Sequence, residues 1–378
     1  MSILRATHMK GFSTIFITIL LLLLLLSFSF SIKEEASNVQ EVPCFFIFGD
    51  SLVDNGNNNL LDTFVKSNYL PYGIDFPFGP TGRFNNGRTV VDVLAELLGF
   101  TNFIPPFSIA SFNDSIKGVN FASGAAGIRD DSGRFLGVNI PMNGQINNFA
   151  IVVDRMREYF GGNWKNFQNH ISKCIVYSGM GNNDYLNNLL VPQWLNSSSS
   201  TQFSPQQYTD ILIQQYSRQL KVLYRLGIRK VIVTAIGQIG CIPIMKYMNG
   251  SHYYCNENLN YYAKIFNSAL RGLVDKFNYG HLPGAKFVYL DLFQGGVELI
   301  ENKSLYGLEV VDKGCCGEGT YLWKLTCFPW QTPCADRQKY FYWDGYHPTE
   351  VVHAIIANKA YTSNLYSYPI NIKDLAML

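Results

Sequence analysis

The chain has 378 residues, 47% of them hydrophobic and 15% aromatic, enough to fill a sizeable core, and it carries a formal charge of +2. Loss of Arg5 and Lys10 with an N-terminal leader would take that charge from +2 to 0, so nothing electrostatic recommends a nucleic acid or an anionic surface as partner. The expected ligand is uncharged.

The first element in chain order is Gly11 to Ile32, 22 uncharged residues with an unbroken leucine run from Leu20 to Leu26, preceded by Arg5, His8 and Lys10. It reads as a secretory signal over residues 1–31, with cleavage near Ser29 and Ser31 or as late as Ala36. A membrane anchor is the competing reading, since such a run could span a bilayer, but small residues and charge follow it as cleavage requires. No later stretch is long and apolar enough to span. About 345 residues then remain, and 42–370 reads as one domain with long loop insertions.

Short apolar runs at Cys44–Phe48, Gly118–Ala122, Cys174–Ser178, Lys230–Ala235 and Lys286–Leu290 predict buried strands. Helical patterns at Thr89–Leu98, Pro141–Phe160, Pro205–Leu226 and Asn256–Phe277 separate them. Ser204, Pro205 and Gln207 form a capping box with proline at the first helical position. Alternation of strand and helix implies a mostly parallel sheet covered on both faces, whose ligands bind at the carboxyl ends of the strands. The polar piece Asn196–Thr201 is a loop within this pattern and not a linker.

Eight cysteines all follow the leader, and an oxidising compartment would let them pair. Cys44 precedes Ser51 by seven residues and Cys174 precedes Gly181 by seven, so equal offsets on neighbouring parallel strands would set the two sulfurs side by side. Two buried thiols would fit equally. Cys241 and Cys255 could close a short loop, while Cys315, Cys316, Cys327 and Cys334 could staple the segment before His347, with adjacent Cys315 and Cys316 taking different partners. No cysteine pair has zinc-knuckle spacing. Sequons at Asn113, Asn196, Asn249 and Asn302 would mark surface loops of a glycoprotein.

Five blocks stand out in order: Phe48-Gly49-Asp50-Ser51-Leu52-Val53-Asp54-Asn55-Gly56-Asn57-Asn58, Gly82-Arg83-Phe84-Asn85-Asn86-Gly87-Arg88, Gly118-Val119-Asn120-Phe121-Ala122-Ser123-Gly124, Gly181-Asn182-Asn183-Asp184-Tyr185 and Trp343-Asp344-Gly345-Tyr346-His347-Pro348. Together they resemble the plant GDSL esterase/lipase family of the SGNH hydrolase superfamily. The resemblance implies a three-layer α/β/α, flavodoxin-like fold with a mostly parallel five-stranded sheet, and a serine esterase that needs no cofactor or metal.

By that resemblance Ser51 is the nucleophile, His347 the general base and Asp344 the group that orients it, and the residue chemistry agrees. A serine hydroxyl needs an imidazole to take its proton and a carboxylate to fix the imidazole tautomer. Ser51 is expected in a loop leaving a strand and running into a helix start, although a serine there can be only a helix cap. Asp344 lies three residues before His347, within reach of the ring nitrogen that does not face Ser51. His353 reads as a packed core histidine. The oxyanion donors carry over as the amides of Ser51 and Gly124 and the side-chain amide of Asn183, with Asn182 an alternative to Asn183 and Asp184 a structural partner. Where the family often has Ser-Gly-Gly-Ala-Gly, this chain reads Ser123-Gly124-Ala125-Ala126-Gly127. If position 125 is left-handed, alanine strains it by about 1 kcal/mol or more.

The chain contains no Gly-x-Ser-x-Gly, which argues against the other large lipase fold. The run Asn55–Asn59 lacks the carboxylates of a calcium loop and reads as a turn holding Ser51 in place. Three functions compete: a secreted, extracellular or cell-wall esterase acting on a small-molecule or lipid ester, an acyltransferase passing the same acyl group to an alcohol, sugar or cell-wall hydroxyl, and an inert glycoprotein binding module. The insertions Tyr69–Phe84 and Leu186–Phe203 are expected to shape the pocket. Oligomeric state is not encoded in any of these patterns.

Overall fold

A computed structural model of the chain describes residues 40–190, 203–250, 254–317 and 326–378. The leader and Asn196 lie outside the described residues. Among the described residues no helix is long and apolar enough to cross a membrane.

The strands are β1 (Phe45–Gly49), β2 (Ile175–Gly179), β3 (Lys230–Thr234), β4 (Lys286–Leu290), β5 (Val310–Gly314), β6 (Tyr340–Tyr342) and β7 (Ser367–Tyr368). The α-helices are α1 (Val90–Leu97), α2 (Met142–Tyr159), α3 (Trp164–Ile171), α4 (Pro205–Arg225), α5 (Pro243–Met248), α6 (Glu257–Lys276), α7 (Leu292–Glu301), α8 (Glu350–Thr362) and α9 (Ile372–Met377). The main sheet runs β1-β2-β3-β4-β7, parallel through β4 and antiparallel at β7. Helices α2, α4 and α6 pack together as one layer, and α1, α8 and α9 as another. β1, β2 and β3 are buried along their whole length, the condition of strands covered on both faces.

The helices follow local sequence signals closely. Thr89 and Asp92 cap α1 reciprocally, and Ser204 and Gln207 do the same for α4 with Pro205 at its first position. One expectation about the sheet needs correction. Gly118–Ala122 is not one of the five strands: it is an extended segment beside β1, receiving the amides of Phe45 and Ile47 at Lys117 O (3.0 Å) and Val119 O (3.1 Å). It donates back to β1 through Phe121 N to Ile47 O at 2.7 Å and Ser123 N to Gly49 O at 3.1 Å, while its other edge bonds the loop at Pro105–Phe107 and the Asn120 side chain accepts from the Ala122 amide. The fifth strand is β7, two residues long, on the opposite edge.

All eight cysteines pair, as Cys44–Cys174, Cys241–Cys255, Cys315–Cys334 and Cys316–Cys327. The first bridge sits one residue before the Phe45 and Ile175 register pair, which is why equal offsets bring those sulfurs together. Asn113, Asn249 and Asn302 are exposed.

Candidate active site

The parallel strands deliver their carboxyl ends to one edge of the sheet, and Ser51 lies there, two residues beyond β1. No helix begins at this point, contrary to the expected strand-to-helix step. The chain makes a tight turn in which the amides of Val53 and Asp54 donate to Asp50 O at 3.2 and 2.9 Å. Gln145 on α2 clamps the strand end, accepting from Gly49 N at 3.0 Å and donating to Gly49 O at 2.8 Å. Asp50 is buried, and burial pushes its carboxyl pKa up; it accepts from Leu52 N and from Asn182 Nδ2.

The asparagine run after Ser51 is a brace. Asn55 donates to Ile104 O, Asn57 to the carbonyls of Asn120 and Ala122, Asn58 to Val65 O and Gly124 O, and Asn59 to Thr81 O. Each buried amide thus replaces water around irregular backbone that has no ladder of its own.

His347 reaches the same place from the far end of the chain. Its Nε2 is 2.8 Å from Ser51 Oγ, and its Nδ1 is 2.9 Å from both carboxylate oxygens of Asp344. The three-residue spacing works because Asp344 Oδ1 also accepts the backbone amides of Tyr346 and His347, each at 2.8 Å, curling the chain around the carboxylate. Asp344 is 1% exposed; burial works to raise its pKa, but the His347 charge and these donors outweigh it and hold the carboxyl below its usual range. The turn is anchored from outside by Asn86, whose Oδ1 accepts from Glu350 N at the start of α8. Arg83, in the same block, forms a buried bidentate pair with Asp92 on α1.

Asn183 faces the site from the turn after β2 and lines the cavity there. Its Oδ1 accepts from Asn187 Nδ2 at 2.9 Å, which fixes the direction of the amide, and its Nδ2 gives one hydrogen to Ala126 O at 3.0 Å and keeps a second. Asn182 is engaged with Asp50 instead. Asp184 is a structural group: it accepts from the amides of Ile128 and Arg129 and from Ser132 Oγ, and burial raises its pKa to about 6.

The Gly124 amide, expected as an oxyanion donor, has a partner within the protein. It donates to Asp54 Oδ2 at 3.0 Å, and a Cβ at Gly124 would lie 2.8 Å from Asn58 Nδ2, Phe84 Cζ and Val65 Cγ1, so packing demands the glycine. The neighbour that lines the cavity with Ser51 and Asn183 is Ala125, at φ 64, in the left-handed region. Among the described residues, the Ala125 and Ser51 amides have no hydrogen-bond partner.

These groups open into a cavity of about 910 Å³. Tyr69, Tyr72, Phe84 and Leu186 from the two insertions form part of its wall; Ile239, Ile242, Met245 and Met248 form another. Among its described lining residues Lys66 is the single side chain with a fixed positive charge. His353 also lines it, 4% exposed, and burial lowers its pKa to about 4. Sequence reasoning did not find Tyr72 or Ala125 as site residues. For Ala125 the departure from the glycine pattern was a usable signal; for Tyr72 there was none beyond its place in an aromatic insertion.

A three-layer α/β/α sheet with a serine, histidine and aspartate in contact at its carboxyl edge defines a hydrolase of the SGNH type. Residues 45–360 match the family GDSL-like Lipase/Acylhydrolase, and the chain belongs to it. It is 52% identical over 342 residues to GDSL esterase/lipase At1g33811 of Arabidopsis thaliana, covering 89% of this chain and 92% of that protein. It is 46% identical over 340 residues to GDSL esterase/lipase At1g29670 and 43% identical over 342 residues to GDSL esterase/lipase 7, both of the same plant, covering 89% of this chain and 92% of each. The chain is a carboxylic ester hydrolase by this membership.

Proposed function

We propose that the protein cleaves uncharged carboxylic esters with an apolar acyl or alcohol part through an acyl-enzyme on Ser51. The observation that carries this reading is the unbroken chain Ser51 Oγ to His347 Nε2 (2.8 Å) and His347 Nδ1 to Asp344 (2.9 Å), opening on a largely apolar cavity.

In this reading Ser51 Oγ attacks the ester carbonyl carbon while its proton passes to His347 Nε2. Asp344 accepts the Nδ1 hydrogen and stabilises the imidazolium. The carbonyl oxygen becomes an oxyanion held by the Ser51 amide, the second Nδ2 hydrogen of Asn183 and the Ala125 amide, which takes the place first expected for Gly124. The carbon–oxygen bond to the alcohol then breaks, the alcohol leaves with the proton from His347, and water repeats the sequence to release the acid.

The eight paired cysteines support maturation in an oxidising compartment, and the leader at 1–31, ahead of a domain at 42–370, is the natural route to secretion. The exposed sequons at Asn113, Asn249 and Asn302 fit a secreted glycoprotein. Turnover of a panel of activated acyl esters by the purified protein, with and without a competing alcohol, tests the reading and separates hydrolysis from acyl transfer. Absence of turnover together with absence of phosphonate uptake would leave the binding-module reading.

A further inference from the structure

Asp344 is buried and has two oxygens to satisfy. Oδ1 accepts from the amides of Tyr346 and His347 and from His347 Nδ1. Oδ2 shares that Nδ1 hydrogen and accepts from the hydroxyl of Tyr72 at 2.7 Å, a contact spanning 272 residues. Without that hydroxyl, Oδ2 would keep only its part of the imidazole hydrogen, and a buried carboxylate oxygen left short of donors is costly.

Tyr72 is held for this task on every side. Its ring lies edge-on to Tyr69, Phe84 and Trp343 at centroid distances of 5.5, 6.3 and 6.3 Å, and it packs in a cluster with Cys315, Cys316 and Cys327. The next residue, Gly73, has φ 66 and lies against Gly79 O, where a Cβ could not fit, and its amide donates to Asn85 O at 2.8 Å. Phe84 also packs on the His347 ring, at 5.3 Å. The titratable groups facing Asp344 are thus His347, Tyr72, Tyr69 and Tyr346. Burial first, and Asp344 second, push the Tyr72 pKa up, so the phenol stays a neutral donor that orients the carboxylate without cancelling its charge.

We infer that Tyr72 is a positioning residue for the reaction, the fourth member of a chain running Ser51, His347, Asp344, Tyr72. The inference rests on the proposed triad. It makes the Tyr69–Phe84 insertion part of the catalytic machinery as well as part of the cavity wall.

The test compares the full mature protein with Tyr72→Phe, Asp344→Asn and the double variant, using an activated short-chain ester. Tyr72→Phe is expected to lower kcat by about tenfold or more with KM within about twofold, since misorientation costs rate and not binding. Loss of the donor makes Asp344 a stronger base toward the imidazolium, so the rising limb of kcat/KM against pH should move to higher pH. In the Asp344→Asn background Tyr72→Phe should cost little more, because its effect runs through that carboxylate. An unchanged kcat and pH limb, additive losses in the double variant, or loss of fold in Tyr72→Phe would each overturn the inference and assign Tyr72 to packing alone. An inactive wild type that takes up no phosphonate would instead sink the triad reading itself.

Discussion

His347 Nε2 lies 2.8 Å from Ser51 Oγ although 296 residues separate them. β1 sets one partner at the carboxyl edge of the sheet, and the segment between β6 and α8 sets the other. Gln145 on α2 clamps the end of β1 and Asn86 holds the start of α8, so the pair is assembled before any substrate arrives.

The bridges Cys315–Cys334 and Cys316–Cys327 hold the backbone that carries Asp344. Cys316 N donates to Trp343 O at 2.7 Å and Cys315 N to Tyr342 O at 3.0 Å, so the cross-linked loop runs alongside the triad turn. Replacing Cys315 and Cys334 by alanine should cost about 2–4 kcal/mol of stability by the chain-entropy account. It should also lower kcat more than KM. Thermal unfolding and ester kinetics on the double variant check both, and unchanged kinetics would detach the bridge from the site.

Ala125 occupies a left-handed backbone position that glycine adopts freely. Ala125→Gly relieves strain of about 1 kcal/mol but returns a similar amount of unfolded-chain entropy, so its stability should change little. Ala125→Val adds β-branching to the same φ and should lower kcat by about tenfold or more while displacing the amide from the oxyanion. Stopped-assay kinetics on the pair decide it; equal kcat in both variants would exclude Ala125 from the oxyanion site.

His353 gives the fold a pH dependence of its own. Burial, then the His347 charge, lower its pKa from 6.5 to about 4, with Asp92 opposing. The unfolded chain therefore binds more protons between these values, so this stabilisation is complete above pH 6.5 and is lost as pH falls toward 4. Asp54 and Asp184, both raised by burial to about 6, act in the opposite sense: their contribution is present below 3.8 and lost as pH rises through 6. The difference between wild type and His353→Leu isolates the histidine. Its change between pH 6.5 and pH 4 should be on the order of 3 kcal/mol, with the wild type losing more, as read by urea unfolding. Parallel pH curves would contradict a buried neutral imidazole.

The parts of this site that were legible in the sequence are those fixed locally. Asp344 and His347 are three residues apart, and the contact follows from one turn; Ser204 and Gln207 announce the start of α4 by side-chain to backbone bonds alone. The four helical patterns read from the sequence, at α1, α2, α4 and α6, were legible because their buried stripes recur at helical spacing. What failed was non-local. β7 is two residues without a hydrophobic period, and Gly118–Ala122 reads as a strand because it is buried beside β1, though it meets β1 and the Pro105–Phe107 loop through isolated bridges at Asn120 and is not a strand of the sheet. The Gly124 amide is taken by Asp54 from another loop, and no spacing rule contains that contact. Tyr72 meets Asp344 through tertiary packing alone.

The triad members should differ in how much activity each variant keeps. His347→Ala removes the base outright and should fall as far as Ser51→Ala, while Asp344→Asn leaves an imidazole able to accept the proton in a poorer orientation and should retain more. Turnover of one ester by the three variants gives the order, and an Asp344→Asn protein weaker than His347→Ala would reverse the assigned roles.

The most direct measurement is covalent labelling by a serine-directed phosphonate, mapped by mass spectrometry on wild type and Ser51→Ala. One equivalent should appear on the peptide containing Ser51 in the wild type and none in the variant, whose ester turnover should fall by roughly 10³-fold or more at unchanged thermal stability. Label on another residue, or a Ser51→Ala protein within about tenfold of wild-type turnover, would contradict it.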